Sequence, residues 1–144
     1  MKVESILKIK GRDVETVRPD TSVVIAMHRL AVLGIGALVV SSDGERVDGV
    51  LSERDVVQGL NKHGARLLDL PVREVMSQRV PTCAPEDSLR SVMAEMTRSR
   101  NRHLPVVAGE RLVGIVSIGD VVKHRLDEMQ LETNVLRDSY RASH

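Results

Sequence analysis

Apolar positions along this chain fall into a series of short blocks that is run through twice. Val14 to Val17 reads as a short strand, and Pro19-Asp20-Thr21 is a turn suited to capping the helix that follows. Val23, Ala26, Met27, Leu30 and Leu33 then recur at helical spacing until Gly34 ends them. Ala37-Leu38-Val39-Val40 is unbroken apolar sequence and predicts a buried strand. Ser42-Asp43-Gly44-Glu45 has hairpin turn chemistry, Val47 to Leu51 is the returning strand, and Ser52 opens a second helix. The same order follows as strand Val80 to Cys83, helix Ser88 to Arg98, strand Leu104 to Val107 and turn Ala108-Gly109-Glu110. Strand Leu112 to Val116 and a helix from Gly119 complete it. The predicted fold is therefore α/β (α+β), two βαββα units.

The two passes also match in letters. Gly49-Val50-Leu51-Ser52-Glu53-Arg54-Asp55-Val56-Val57 returns as Gly114-Ile115-Val116-Ser117-Ile118-Gly119-Asp120-Val121-Val122. Upstream, Pro19, Met27 and Leu38 align with Pro85, Met93 and Leu104 at a constant offset of 66, which becomes 65 at the Gly49 motif. One residue lost in a loop is how a duplicated unit behaves, because loops tolerate length change and packed elements do not. We divide the chain into repeat 1 (1–66, with a lead-in helix at Val3 to Leu7 and a connection at Asn61 to Leu70), repeat 2 (67–127, with its own lead-in helix at Val72 to Met76) and a helical tail (128–144). Val122, Leu126, Met129, Leu136 and Tyr140 put an apolar stripe on the terminal helix, which weakens past Glu132 because Met129 to Leu136 is a long step.

Composition narrows the function. At 144 residues neither half has a generous core of its own, so the repeats are expected to pack as one module. A formal net charge of +1 argues against a dedicated nucleic-acid or membrane-surface protein. Cys83 is the one cysteine, and neither a signal sequence nor a membrane span is read, which leads to a cytoplasmic expectation. With one Tyr and no Phe or Trp, any flat ligand must be held between aliphatic side chains.

The chemistry lies in the repeated Ser-x-x-Asp. Ser52 and Ser117 stand at helix starts, where unpaired amides and the helix dipole stabilise a phosphate. Asp55 and Asp120, one turn on, could accept both hydroxyls of a ribose. The same pattern is also a capping box, worth about 1 kcal/mol with no ligand at all. Its occurrence twice, each time directly after a strand, favours the ligand reading.

The Pro-Asp/Glu-x-Ser-apolar helix start, the Gly36-Ala37-Leu38-Val39-Val40 and His103-Leu104-Pro105-Val106-Val107 strands and the paired Gly-x-x-Ser-x-x-Asp together resemble the CBS domain, named for cystathionine beta-synthase. The resemblance covers about residues 2–127. It implies a pseudo-two-fold Bateman module with two clefts for adenosine nucleotides (AMP, ADP, ATP or NAD(H)) and no metal. It further implies that Ser52 and Ser117 contact phosphate, that Asp55 and Asp120 hold ribose, and that adenine meets the backbone at Thr16-Val17, Thr82-Cys83, Gly36-Ala37 and His103-Leu104. Family pairs usually regulate an attached enzyme, channel or transporter. None is seen in this chain, which is similar to free-standing bacterial members, so a homodimer acting on a separate protein is expected.

The copies differ where it matters. Gly36-Ala37 in one is Arg102-His103 in the other, and Arg102 and His103 in a cleft could pair with phosphate oxygens. Arg54, facing Gly119 across the alignment, could reach phosphate or simply be solvated. His28, His63, His124 and His144 share no metal-ligand spacing with Cys83 or the carboxylates and read as surface or packing residues; Cys83 reads as an apolar filler. Two rivals to a non-catalytic sensor remain: a nucleotide-processing enzyme with His103 as its base, and a protein binding RNA or DNA through Arg98, Arg100 and Arg102.

Overall fold

The computed structural model describes residues 1–143. The elements in order are α1 (Val3–Lys10), β1 (Thr16–Val17), α2 (Val23–Leu33), β2 (Ala37–Val40), β3 (Gly49–Ser52), α3 (Glu53–His63), two 3₁₀ turns (Gly64–Asp69 and Val72–Glu74), α4 (Leu89–Ser99), β4 (His103–Ala108), β5 (Arg111–Ser117) and α5 (Ile118–Ser143). In the first repeat β1 runs parallel to β2, which pairs antiparallel with β3, in the order β1-β2-β3. In the second, β4 and β5 form the hairpin. The strand expected at Val80 to Cys83 shrinks to one parallel bridge, Cys83 with Val106, held by Cys83 N–H to the Pro105 carbonyl (3.0 Å) and Val107 N–H to the Cys83 carbonyl (2.8 Å). Pro81 has no amide to donate, so the ladder cannot extend toward Val80. The lead-in expected as a helix over Val72 to Met76 is a single 3₁₀ turn, Val72–Glu74.

Two apolar cores result, both aliphatic as the composition requires. Val17, Ala26, Leu30, Leu38, Val40 and Leu51 fill the first; Leu89, Val92, Met96, Leu104, Val106, Val116 and Val121 fill the second. The lead-ins are exchanged between them. Val3, Ile6 and Leu7 of α1 pack in the second core, while Val72 packs in the first. Backbone bonds fix both exchanges: Val3 N–H to the Asp87 carbonyl and Glu4 N–H to that of Pro85, against Val72 N–H to the Thr21 carbonyl and Arg73 N–H to that of Pro19. In space, then, α1 is the lead-in of the second repeat. The glycine of the repeated motif serves this exchange. A Cβ on Gly49 would lie 2.6 Å from the Ser77 carbonyl oxygen, and one on Gly114 would lie 2.6 Å from Leu7 Cδ2, so each glycine makes room for the lead-in arriving from elsewhere.

The closing helix expected from the stripe Val122 to Tyr140 runs without a break from the second repeat into the tail, giving α5 its 26 residues. The amino-terminal ammonium pairs with Glu128 (3.2 Å) and ties the start of the chain to it. His144 lies outside the described residues.

Candidate functional site

Ser52 closes β3 and caps α3, and its surroundings show how a strand running into a helix builds a site. The Asp55 amide donates to Ser52 Oγ (3.2 Å), while Asp55 Oδ2 accepts from the Ser52 amide (2.8 Å) and from Ser52 Oγ (2.9 Å). The second carboxylate oxygen accepts from Ser77 Oγ at 2.8 Å, and the side chain is buried. Ser77 reaches it because Val50 and Ser77 exchange both backbone bonds at 3.0 Å. The capping box is thus formed in full, and Ser77 occupies the carboxylate oxygen that the cap leaves open.

Above this helix start opens a cleft of about 600 Å³, within the range of small-molecule sites. Repeat 1 contributes Gly36, Val50, Ser52, Glu53, Arg54, Asp55 and Gln58; Ser77, Val80 and the loop Ser99-Arg100-Asn101-Arg102-His103 close the other side. Of the residues expected from the sequence, Gly36, Ser52, Arg54, Asp55, Arg102 and His103 come together in this one cleft. Thr16, Val17, Ala37, Thr82, Cys83 and Leu104 do not line it; Val17, Ala37, Cys83 and Leu104 are buried in the cores. Arg54 reaches over to the Arg100 carbonyl at 3.5 Å.

Arg100 itself was visible in the sequence only as part of a basic run. It occupies the position of Gly34 in the other repeat and ends α4 with φ 58°, ψ 31°, beside 63° and 36° for Gly34. Among the described residues it is the one non-glycine with positive φ. A left-handed arginine carries strain of about 1–2 kcal/mol, and such strain concentrates at functional sites. The loop thereby puts Arg100 and Arg102 opposite Arg54. His103 stays neutral at pH 7: burial pushes its pKa below the ordinary value, and the nearby Lys10 and Arg102 charges add to this against Asp120 and Glu53. It can hydrogen-bond a phosphate but does not bring a standing positive charge.

The second Ser-x-x-Asp forms the same reciprocal cap. The Asp120 amide donates to Ser117 Oγ (3.1 Å) and Asp120 Oδ2 accepts from the Ser117 amide (2.9 Å). Lys10 of α1 meets this carboxylate where Ser77 meets the other, but on the capping oxygen: its Nζ lies 2.7 Å from Asp120 Oδ2 and 3.1 Å from the Ile115 carbonyl oxygen. Burial alone would raise the Asp120 carboxyl, but the Lys10 hydrogen bond, the Ser117 amide and the Lys10 charge hold it below its usual range. An uncharged partner on one carboxylate and an ammonium on the other make the two places chemically unlike. Neither Lys10 nor Ser77 stands out in the sequence; Lys10 ends the exchanged α1 and Ser77 follows the exchanged 3₁₀ turn, so only the fold brings them there.

The remaining candidates resolve simply. The Cys83 thiol is buried and pushed up to about 12 by that burial and by the Asp87 charge, which leaves it unreactive. His124 is buried with Nδ1 against the Asp120 carbonyl (2.9 Å), a packing residue. Among the described residues no three of His, Cys, Asp and Glu are grouped to hold a metal ion, and no helix is long and apolar enough to cross a membrane.

Comparison with known proteins decides the family. The CBS domain matches this sequence twice, over residues 5–62 and 72–127. The chain is a tandem CBS-domain protein. Its two repeats form a Bateman module, and solved structures agree: a CBS-domain protein of Agrobacterium tumefaciens is similar with a TM-score of 0.83 at 43% identity, covering 87% of this chain and 99% of that one. The CBS domain-containing protein YhcV of Bacillus subtilis is 30% identical over 86% of this chain and 87% of its own length. The CBS pair of protein MJ0100, solved in complex with 5′-methylthioadenosine and S-adenosyl-L-methionine, shares the fold at 22% identity with a TM-score of 0.77, over 89% of this chain and 98% of that one.

Proposed function

We propose that this CBS pair is a non-catalytic regulatory module that takes a phosphate-bearing adenosine ligand (AMP, ADP, ATP or NAD(H)) in the cleft between its repeats and, as a homodimer, modulates a separate protein. The observation that carries the reading is the single cleft in which a helix start with its capped Ser52 and Asp55 faces Arg54, Arg100 and Arg102, while Val50 and Val80 supply apolar contact. A phosphate is favoured where a helix dipole and guanidinium groups converge. Adenosine-derived ligands in the related CBS pair of protein MJ0100 support the nucleoside part. That the relatives from Agrobacterium tumefaciens and Bacillus subtilis consist of little beyond the matched region supports a module that works on another protein.

The test is a thermal-shift series on the full chain with AMP, ATP, NADH, adenosine and 5′-methylthioadenosine. It is joined to identification of any nucleotide released on denaturation, which the near-absence of aromatics makes conspicuous near 260 nm. Ligand at about 100 times its dissociation constant adds about 2.7 kcal/mol, a shift of several degrees. Asp55→Ala removes the acceptor of the Ser52 amide and Ser77 hydroxyl, costing about 2 kcal/mol of stability, and abolishes the shift. No released nucleotide together with no shift from any of the five compounds overturns the reading.

A further inference from the structure

From Val122 onward, α5 carries a seam of residues exposed on the module surface. Val122, Leu126, Met129, Thr133, Leu136 and Tyr140 follow one another at steps of four, three, four, three and four. That alternation is a heptad repeat, positions d, a, d, a, d, a, and Thr133 fills the long step between Met129 and Leu136. Leu126, Met129 and Leu136 are 60%, 53% and 72% exposed, and Tyr140 holds the last seam position. Thr133 gives its hydroxyl to the Met129 carbonyl (3.0 Å) in its own helix, so its polarity is met without a partner across the seam. Val121 and His124, on the other side of the first turns, are buried in the module. The seam runs for about 27 Å at 1.5 Å per residue.

We propose that this seam joins two copies of this chain in a parallel, in-register, two-stranded coiled coil. The charges beside it decide the occupant and the direction. In such a pair each g residue faces the e residue five positions further along the other strand, which sets Glu132 of one copy against Arg137 of the second, twice by symmetry. An antiparallel pair that keeps the whole seam opposes Met129 and Thr133. It then brings Glu132 beside Glu132 and Lys123 beside Arg137, which are like charges.

The two repeats also differ at their surface. Val24, Ile25, Val32 and Leu33 of α2 are exposed, as are Val57 and Leu60 of α3. The positions of α4 that correspond at the offset of 66 are Arg90, Ser91, Arg98 and Ser99. α2 thus carries exposed apolar residues where α4 carries arginine and serine. Leu131 and Val135 project from the opposite side of α5 and stay outside the seam. The inference is independent of what the cleft binds.

Single cysteines test it in the full chain carrying Cys83→Ala. Thr133→Cys is expected to give mostly disulfide-linked dimer under mild oxidation at micromolar protein, while Leu131→Cys stays mostly unlinked. By sedimentation the parent is a dimer. Glu132→Arg weakens it at least about tenfold, and adding Arg137→Glu restores it. A monomeric parent overturns the proposal. So does Thr133→Cys that fails to link, or linkage found only when Met129→Cys and Thr133→Cys chains are mixed, which is the antiparallel pairing.

Discussion

Replacing Arg100 by glycine separates stability from ligand recognition at one residue. The backbone at this position is left-handed, φ 58° and ψ 31°, and a side chain there costs about 1–2 kcal/mol relative to glycine. Glycine returns part of that through the greater freedom of its unfolded chain, about 0.5–1 kcal/mol. The net expectation is a gain of about 1 kcal/mol, or about 3 °C in the midpoint for a chain of this size. The Arg54 bond does not weigh against it, because its acceptor is the residue 100 carbonyl, which glycine keeps. On the ligand side the guanidinium is exposed, so a phosphate contact from it would be worth only about 1 kcal/mol, and its removal is expected to cost roughly fivefold in AMP affinity. Adenosine, lacking phosphate, should bind Arg100→Gly as it binds the parent. Differential scanning calorimetry gives the first quantity and isothermal titration with the two ligands gives the second. A variant that melts below the parent refutes the strain argument; equal losses for AMP and adenosine refute the phosphate role.

Lys10→Met breaks a part-exposed ion pair, so its stability cost is under about 1 kcal/mol, yet it leaves Asp120 open. Titration should show adenosine binding at the second Ser-x-x-Asp gaining more than AMP, and an unchanged adenosine isotherm contradicts the competition between Lys10 and ribose. His103 has a folded pKa below its ordinary 6.5, so its contribution to stability is complete above about that pH and is lost as pH falls through the folded value. His103→Asn should flatten the decline in melting temperature between neutral pH and pH 5. A phosphate beside the imidazole favours its charged form, so AMP binding near pH 6.5 should take up a fraction of a proton in the parent and none through this group in the variant, read from titration heats in buffers of different ionisation enthalpy. The Cys83 thiol should resist a disulfide reagent at pH 8 in the native protein and react fully in denaturant; prompt native labelling would show that the second core opens.

The fold was largely legible because duplication doubled every signal. The runs at Ala37 to Val40 and Leu104 to Val107 lie inside β2 and β4, and Gly34 ends α2 as glycine should. Elements were misjudged where backbone chemistry overrode pattern: Pro81 cut a strand to one bridge, and the second lead-in tightened into a 3₁₀ turn. At the cleft, residues on the repeated motif and its flanks were found because function and duplication coincide there. The exchange of lead-ins could not be read, since Val3 and Val72 are equally apolar whichever core receives them. Arg100 left a usable signal, an arginine aligned with a helix-ending glycine. Lys10 left none, because its meaning depends on a carboxylate 110 residues away.

The crossed lead-ins bear on how the protein comes apart. Cutting the chain between the two 3₁₀ turns would yield two pieces, each holding a plug for the other's interior, so they should reassociate when mixed and fare badly alone. Neither repeat can melt in private: withdrawing α1 takes Val3, Ile6 and Leu7 out of the second core, and withdrawing the second lead-in takes Val72 out of the first. A disturbance that loosens one repeat should therefore loosen its twin as well.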